Sequence, residues 1–580
     1  MLRSRLIANA LVLFGATLLA GCGGGSDEPS RTQVQGASET LRHAAVATDG
    51  DGGANGALRR VTTYGPVLGA ADAQSGTYQW LGLPYAKPPT GALRWMPPAE
   101  PDSWTETRRA QSYGPSCAQT GRYFSPAPDN APFGMSVRDG FGKLVGSEDC
   151  LTLNVWRPAT DAANLPVIVF IHGGSNISGY SADPIYQGGT LATKARAVVV
   201  TINYRLGMFG WLDMAQLKTG DALVDSGNFA TLDHVQALKY VRANIAAFGG
   251  NPGNVTVMGE SAGAVNTWAL LVSPLARGLF HKAVAMSGGV QTADPITAKA
   301  YSAALLQALL IADGKAGNDL TAWLYLLTQS KAQLAAYLRS KTTQELIQAE
   351  QAAGLSGRSP AVFADGVVLP LSPLGAILTG QYNHVPMLAG NTREEGKLFG
   401  GLVGAYKPDD YDRFTLQYNF DPDAAPTRTE GDLLNPLFLP VNQPVTGWNT
   451  VSALLGNAVF TTAAIESLGA LSLQQPAQTW YYRFDWNQEP EPFNTVYGAC
   501  HAMDLPFAFG NFGRSVFSFA FSTANKSGRV GLSDAMMLSL GAFAATGNPQ
   551  HPGLGANWPN WPARMVFDAS AAQPRIGVER

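Results

Sequence analysis

Gly259-Glu260-Ser261-Ala262-Gly263 follows directly on the apolar run Val255-Thr256-Val257-Met258 and leads into a stretch of small and apolar residues. A short buried strand, a G-x-S-x-G turn and a helix start, in that order, fit few architectures. The turn is so tight that side chains flanking the serine would clash, which is why glycines stand two residues to either side. The same tightness pushes the Ser261 hydroxyl out above the sheet edge, where a base can reach it.

The chain around this turn alternates strand and helix. Val167-Ile168-Val169-Phe170-Ile171 lies between Pro166 and His172-Gly173-Gly174 and reads as a strand buried on both faces, as does Ala197 to Ile202. Phe229 to Phe248 is helical instead: Leu232, Val235, Leu238, Val241 and Ile245 recur at spacings of three and four, with Asn228 placed to cap the helix and Gly249-Gly250 to stop it. The pattern predicts an α/β fold with a central, mainly parallel sheet flanked by helices. Residues 297–355, rich in Ala, Leu, Gln and Lys, read as helices inserted as lid or cap material. Residues 405–450, with many Pro and Asp, read as surface loops. A strand over Thr479 to Phe484 and a late helix over Leu532 to Ala545 complete the order.

The first residues belong to targeting, not to the fold. Arg3 and Arg5 form a basic start, and Leu6 to Leu19 is an apolar run too short for a comfortable membrane span. It ends in Leu19-Ala20-Gly21-Cys22, which resembles a bacterial lipobox. Residues 1–22 are therefore expected to be a lipoprotein signal, with Cys22 lipidated. Gly23 rather than Asp follows the cysteine, which by the usual bacterial sorting pattern points to the outer membrane; otherwise the protein is periplasmic or secreted. Residues 23–57, Gly-rich and then polar, read as a flexible tether, and 58–580 as the folded domain. With Cys22 set aside, Cys117, Cys150 and Cys500 remain, and in an exported chain one pair can form. A net charge of −3 with no basic cluster argues against nucleic acid, and membrane contact is expected through the lipid anchor only.

A serine nucleophile needs an imidazole, an acid to orient it and donors for the developing oxyanion. The 7 histidines make the search short. His43 lies in the tether, His172 in the glycine loop, His234 within a helix and His281 too soon after the serine. His384 precedes any acid and His551 sits in a Pro-rich tail. That leaves His501, in Gly498-Ala499-Cys500-His501-Ala502-Met503-Asp504. For the acid, Gly390-Asn391-Thr392-Arg393-Glu394-Glu395-Gly396 follows the strand-like Val385 to Ala389, and two adjacent glutamates leave the choice open. Glu260 reads as a structural, hydrogen-bonded acid beside the nucleophile. Cys500 reads as a small buried residue, and Trp268 and Phe141 as core aromatics before pocket contacts.

Further motifs carry a broader likeness. Leu81-Gly82-Leu83-Pro84-Tyr85-Ala86-Lys87-Pro88-Pro89, Glu148-Asp149-Cys150-Leu151-Thr152-Leu153-Asn154-Val155, Asn203-Tyr204-Arg205-Leu206-Gly207 and Phe248-Gly249-Gly250-Asn251-Pro252 run together with the serine turn from about residue 60 to 565. In these the chain resembles the type-B carboxylesterases, the group of para-nitrobenzyl esterases and cholinesterases. The resemblance implies an α/β-hydrolase fold and a serine carboxylesterase needing no metal or organic cofactor. It implies Ser261, Glu395 and His501 as the catalytic triad, with the residue directly before the glycine as the acid. It implies the backbone N–H groups of Gly174, Ser175 and Ala262 as the oxyanion hole and a Cys117–Cys150 disulfide. The substrate class is then a small ester. Amide, carbamate or lactone hydrolysis, or a non-catalytic binding role on the same scaffold, are the alternatives. Ser175 departs from the Gly or Ala common at its place and is expected to narrow the pocket or touch substrate.

Overall fold

The computed structural model describes residues 56–408 and 410–580. The signal segment, Cys22 and the tether up to residue 55 lie outside the described residues. One sheet of eleven strands organises the rest: β1 (Ala70–Asp72), β2 (Thr77–Pro84), β3 (Thr152–Pro158), β4 (Leu165–Ile171), β5 (Val198–Ile202), β6 (Gly250–Glu260), β7 (Lys282–Met286), β8 (Met387–Thr392), β9 (Thr479–Phe484), β10 (Arg564–Ala569) and β11 (Pro574–Glu579). Their order in space is β11-β10-β9-β8-β7-β6-β4-β5-β3-β2-β1. Strands β4 to β10 run parallel, and the edges turn antiparallel through β3, β2, β1 and β11.

The central strands are apolar on both faces because both faces are covered. In β4, Val167, Val169 and Ile171 belong to one buried cluster, while Ile168 and Phe170 belong to the cluster on the opposite side. Strand β5 divides the same way, with Val198, Val200 and Ile202 on one face and Val199 on the other. Strand order, not direction, reverses between β4 and β6, where the chain leaves one half of the sheet for the other. In open parallel sheets the crevice beyond the strand C-termini at such a switch is where ligands bind. The loops after β4, β6, β8 and β9 all open there.

The predicted helices form. Phe229–Asn244 is α1, continued by a 3-10 turn over Ile245–Phe248 that stops at Gly249, φ 83°. Helix α2 (Ala262–Val272) follows the serine turn. The insertion folds as α3 (Pro295–Ala312), α4 (Asp319–Leu327), α5 (Lys331–Ser340) and α6 (Thr343–Ala352), the last three opened by capping boxes at Asn318, Ser330 and Thr342.

Two expectations need correction. Asn228 stands at the N-cap of α1 but does not cap it. Its side chain donates to the Phe363 carbonyl at 2.9 Å and to Asp365 at 3.1 Å and accepts from the Phe363 N–H at 2.8 Å, so it tethers a distant loop. Residues 405–450 are not loop throughout: they contain α7 (Asp410–Asn419) and begin α8 (Trp448–Gly456). Asp410 and Asp412 in the first turn favour the α7 start. Its buried Phe414 docks on Tyr123, Phe133 and Phe141. The late helix, α9 (Lys526–Thr546), covers the predicted segment.

Cys117 and Cys150 are bonded across a separation of 33 residues, and Cys500 is buried and free. Beside the disulfide, Arg94 and Glu148 form a buried two-point ion pair at 2.7 and 2.6 Å, which gives the Glu-Asp-Cys motif its glutamate. Arg205 of the Asn-Tyr-Arg motif grips Asp233 in the same way, at 2.9 and 2.7 Å. Replacing both Cys117 and Cys150 by Ala should lower unfolding stability by about 3–4 kcal/mol, the chain entropy released by a loop of this length. Urea unfolding of the double variant checks this; an unchanged midpoint would contradict it.

Candidate active site

Ser261 sits at the junction of β6 and α2 with φ 56° and ψ −121°, a backbone state non-glycine residues seldom occupy. Its N–H donates to the Met286 carbonyl on β7 at 2.8 Å, and its own carbonyl accepts from Ala264 and Val265 in the first turn of α2. The flanking glycines are required by contact: a Cβ on Gly259 would stand 2.1 Å from the Gly263 carbonyl oxygen, and one on Gly263 would stand 2.0 Å from that of Ile171. Ser261 lines a cleft of about 650 Å³ together with Gly173, Gly174, Ser175, Glu260 and His501.

His501 and Glu395 are both buried and meet at 2.5 Å, Nδ1 to Oε2. The other carboxylate oxygen, Oε1, accepts from the Ser287 hydroxyl at 2.7 Å, the Asn391 side chain at 2.9 Å and the Thr392 N–H at 2.9 Å. Burial alone would raise the Glu395 pKa; the imidazole and these donors outweigh it, and the group is held below the usual carboxylate range. An ionised acid on Nδ1 fixes the tautomer that leaves Nε2 as the basic nitrogen.

The ambiguity between the two glutamates is resolved by contact. Glu394 faces away from the imidazole, pairing with Lys397 at 2.7 Å and accepting from the Ala499 N–H at 3.0 Å, while its own N–H donates to the Ala499 carbonyl. It clips the acid-bearing loop to the histidine-bearing one. Glu395 alone of the pair touches His501.

Glu260 is buried but is not the hydrogen-bonded acid expected: its Oε1 makes no hydrogen bond among the described residues. Its Oε1 lies 3.1 Å from His501 Nε2. Burial is the main influence on Glu260, pushing it up to about 8. For His501, burial works downward, but Glu260 and Glu395 together outweigh it and the imidazole is shifted upward. Asp504, raised to about 6 by burial and bound by the Tyr482 hydroxyl at 2.7 Å, adds a third carboxyl group.

The glycine loop after β4 is held open by its surroundings. The His172 ring stacks on Tyr204 at 4.4 Å, and the Tyr204 hydroxyl donates to the His172 carbonyl at 2.7 Å. Burial lowers the His172 pKa to about 4, so it is a neutral, structural histidine. Gln119, two residues past Cys117, straps the loop's far end by two bonds to Gly179, at 2.9 and 3.0 Å. Gly174 adopts φ 98° and Ser175 φ 57°, turning this backbone along the cleft wall beside the start of α2, where Ala262 begins. Ser175 is exposed and lines the cleft.

Several contributors carried no readable signal. Phe460 stacks on the His501 ring at 4.1 Å, presented by a π-helical turn, Asn457–Thr461, between α8 and the following helix. Ser287 and Asn391 reach Glu395 from the ends of neighbouring strands. Gly396 allows α8 to approach, since a Cβ there would stand 1.9 Å from the Ser452 carbonyl oxygen. The cleft wall also takes in Arg122 to Phe124, Ile177 to Gly179, Ile185, Tyr186, side chains between Leu398 and Arg413, Ala502, Leu505 and Phe517. Trp268 is fully buried and donates to the Gly288 carbonyl; Phe141 packs on α7. Neither lines the cleft.

Residues 57–570 match the sequence profile of the carboxylesterase family. The para-nitrobenzyl esterase of Bacillus subtilis is 35% identical over 510 residues, spanning 87% of this chain and 91% of that one. Carboxylesterase 1C of Rattus norvegicus is 33% identical over 541 residues, 89% of each chain. Among solved structures, a PNB esterase superposes with a TM-score of 0.69 at 32% identity, covering 90% of this chain and 97% of the other.

The contacts of the two glutamates separate them experimentally. Glu395→Gln should cut kcat on the order of 10³–10⁴-fold by misorienting the imidazole, whereas Glu394→Gln should cost less than about tenfold, since it weakens a clip rather than the imidazole's partner. Steady-state kinetics on both variants checks this, and equal losses would contradict it.

Proposed function

The chain belongs to the carboxylesterase family and is a carboxylic ester hydrolase; we propose that it works through an acyl-enzyme on Ser261. The observation that carries this reading is that Ser261 and an imidazole bound to Glu395 at 2.5 Å open into one cleft. Ser261 Oγ attacks the ester carbonyl carbon as His501 Nε2 takes its proton. Glu395 holds Nδ1–H and stabilises the imidazolium. The N–H groups of Gly174, Ser175 and Ala262 receive the carbonyl oxygen as it gains charge; such donors are each worth about 10²–10³ in turnover. The tetrahedral intermediate collapses, and His501 protonates the departing alcohol. Water, deprotonated by the same nitrogen, then attacks the acyl carbon and releases the acid.

Glu260 has a part in this cycle. In the resting arrangement His501 Nε2 lies 3.1 Å from its carboxyl oxygen, outside hydrogen-bond geometry, and the negative charge there raises the imidazole's affinity for a proton that must leave before the base can act.

The basic start, the apolar run and Leu19-Ala20-Gly21-Cys22 support export and lipidation of Cys22, with the outer membrane as destination. The Cys117–Cys150 bond supports an oxidising compartment.

Para-nitrophenyl esters from acetate to decanoate test the reaction and size the acyl side of the cleft. Turnover should fall to background in Ser261→Ala; turnover that persists would sink the assignment. With any good ester, kcat/KM should rise with pH as His501 loses its proton, with a midpoint above the ordinary imidazole value of about 6.5. Glu260→Gln removes a carboxylate that holds this proton, so the midpoint should move down. An unmoved midpoint would contradict the role given to Glu260.

A further inference from the structure

Helix α4 shows an apolar stripe to solvent. Leu320, Trp323, Leu324 and Leu327 are 65, 50, 49 and 64% exposed, and their spacing puts them on one face over two turns. The helix is anchored by the opposite side: Ala322 is fully buried in a cluster with Leu310 and Ala316, against which Tyr325 and Leu326 pack. A surface helix normally turns its apolar stripe to the core and its polar side to water. This one has both sides apolar, and the larger side chains face out.

We propose that this stripe lies on a lipid bilayer, seating the enzyme at the membrane surface. The inference rests on the export reading, because the occupant is chosen by what the chain brings near. A lipid on Cys22 would join the folded unit, described from Gly56, to the bilayer through a short stretch of chain, so the unit stays beside the membrane. Charge points the same way. Exposed Lys315 and Lys331 stand four residues before and after the helix. Lys341 is buried against Asp313 and Glu345, and the charges left exposed around the helix are Lys299, Lys315 and Lys331 against Asp294 and Asp319, a small positive excess in a protein of net charge −3. An apolar face with a central tryptophan and an exposed lysine beyond each end fits an interface-lying helix. Water-poor esters partitioned into that bilayer would then be presented where the enzyme is held.

The test uses the mature chain made without residues 1–21 and with Cys22→Ser, so that no lipid contributes. It is sedimented with vesicles of phosphatidylcholine alone or mixed with phosphatidylglycerol, beside a Leu320→Gln/Trp323→Gln/Leu324→Gln variant. The unmodified stripe should bind the anionic vesicles more strongly than the neutral ones, and the triple variant should lose about tenfold or more in partitioning. Its para-nitrophenyl acetate turnover should be unchanged, which shows that it folds. Failure of the unlipidated chain to bind either vesicle would overturn the proposal. So would light scattering showing a dimer that Leu324→Glu dissociates, since a second copy would then cover the stripe. Membrane fractionation of the full-length chain reads the Cys22 anchor separately: a chain still bound there, but with no vesicle affinity once unlipidated, would keep the anchor and dismiss the stripe.

Discussion

The backbone of Ser261 carries the geometry of the site. At φ 56° and ψ −121° it costs on the order of 1–3 kcal/mol relative to a relaxed serine, and it persists because neighbours on every side determine it. The hydrogen bond to Met286 fixes it against β7, the first turn of α2 fixes its carbonyl, and Gly259 and Gly263 remove the Cβ atoms that would force the turn open. Once the serine is held there, the start of α2 and the glycine loop after β4 converge from the two sides of the sheet's switch point. The parallel sheet thus brings Glu395, His501 and Ser261 to the same end of its strands, on loops that follow β8, β9 and β6.

Three carboxyl groups, Glu260, Glu395 and Asp504, surround one buried imidazole, and they are not equivalent. Glu395 accepts three hydrogen bonds on one oxygen and His501 on the other, so it stays ionised despite burial. Glu260 and Asp504 have fewer partners and are driven toward their neutral forms. The difference in hydrogen bonding separates a carboxylate held ionised against the imidazole from two carboxyl groups pushed toward protonation. It is the pattern expected where one base must be charged and discharged in turn.

Much of this architecture could be read from the chain. Strands β4 and β5 announced themselves because both faces are buried and only Thr201 interrupts their apolar runs. The elbow did so because its glycines answer a steric demand, and His501 because few histidines compete. What stayed hidden depends on contacts between distant segments. Phe460 reaches His501 through a π turn that leaves no mark on periodicity. Ser287 and Asn391 become partners of Glu395 only when β7 and β8 lie side by side. Asn228 looked like a cap and became a tether, because the loop at Phe363 offered it better partners than its own helix. Helix α7 hid in a Pro- and Asp-rich stretch, since it is stabilised by docking Phe414 and not by propensity.

The central claim is that Ser261 is an activated nucleophile, and covalent trapping tests it most directly. After exposure to an alkyl fluorophosphonate, peptide mapping by mass spectrometry should find a stoichiometric phosphonyl adduct on Ser261, formed slowly or not at all in His501→Ala. An adduct on another residue, or none in a protein that still hydrolyses esters, would contradict the account.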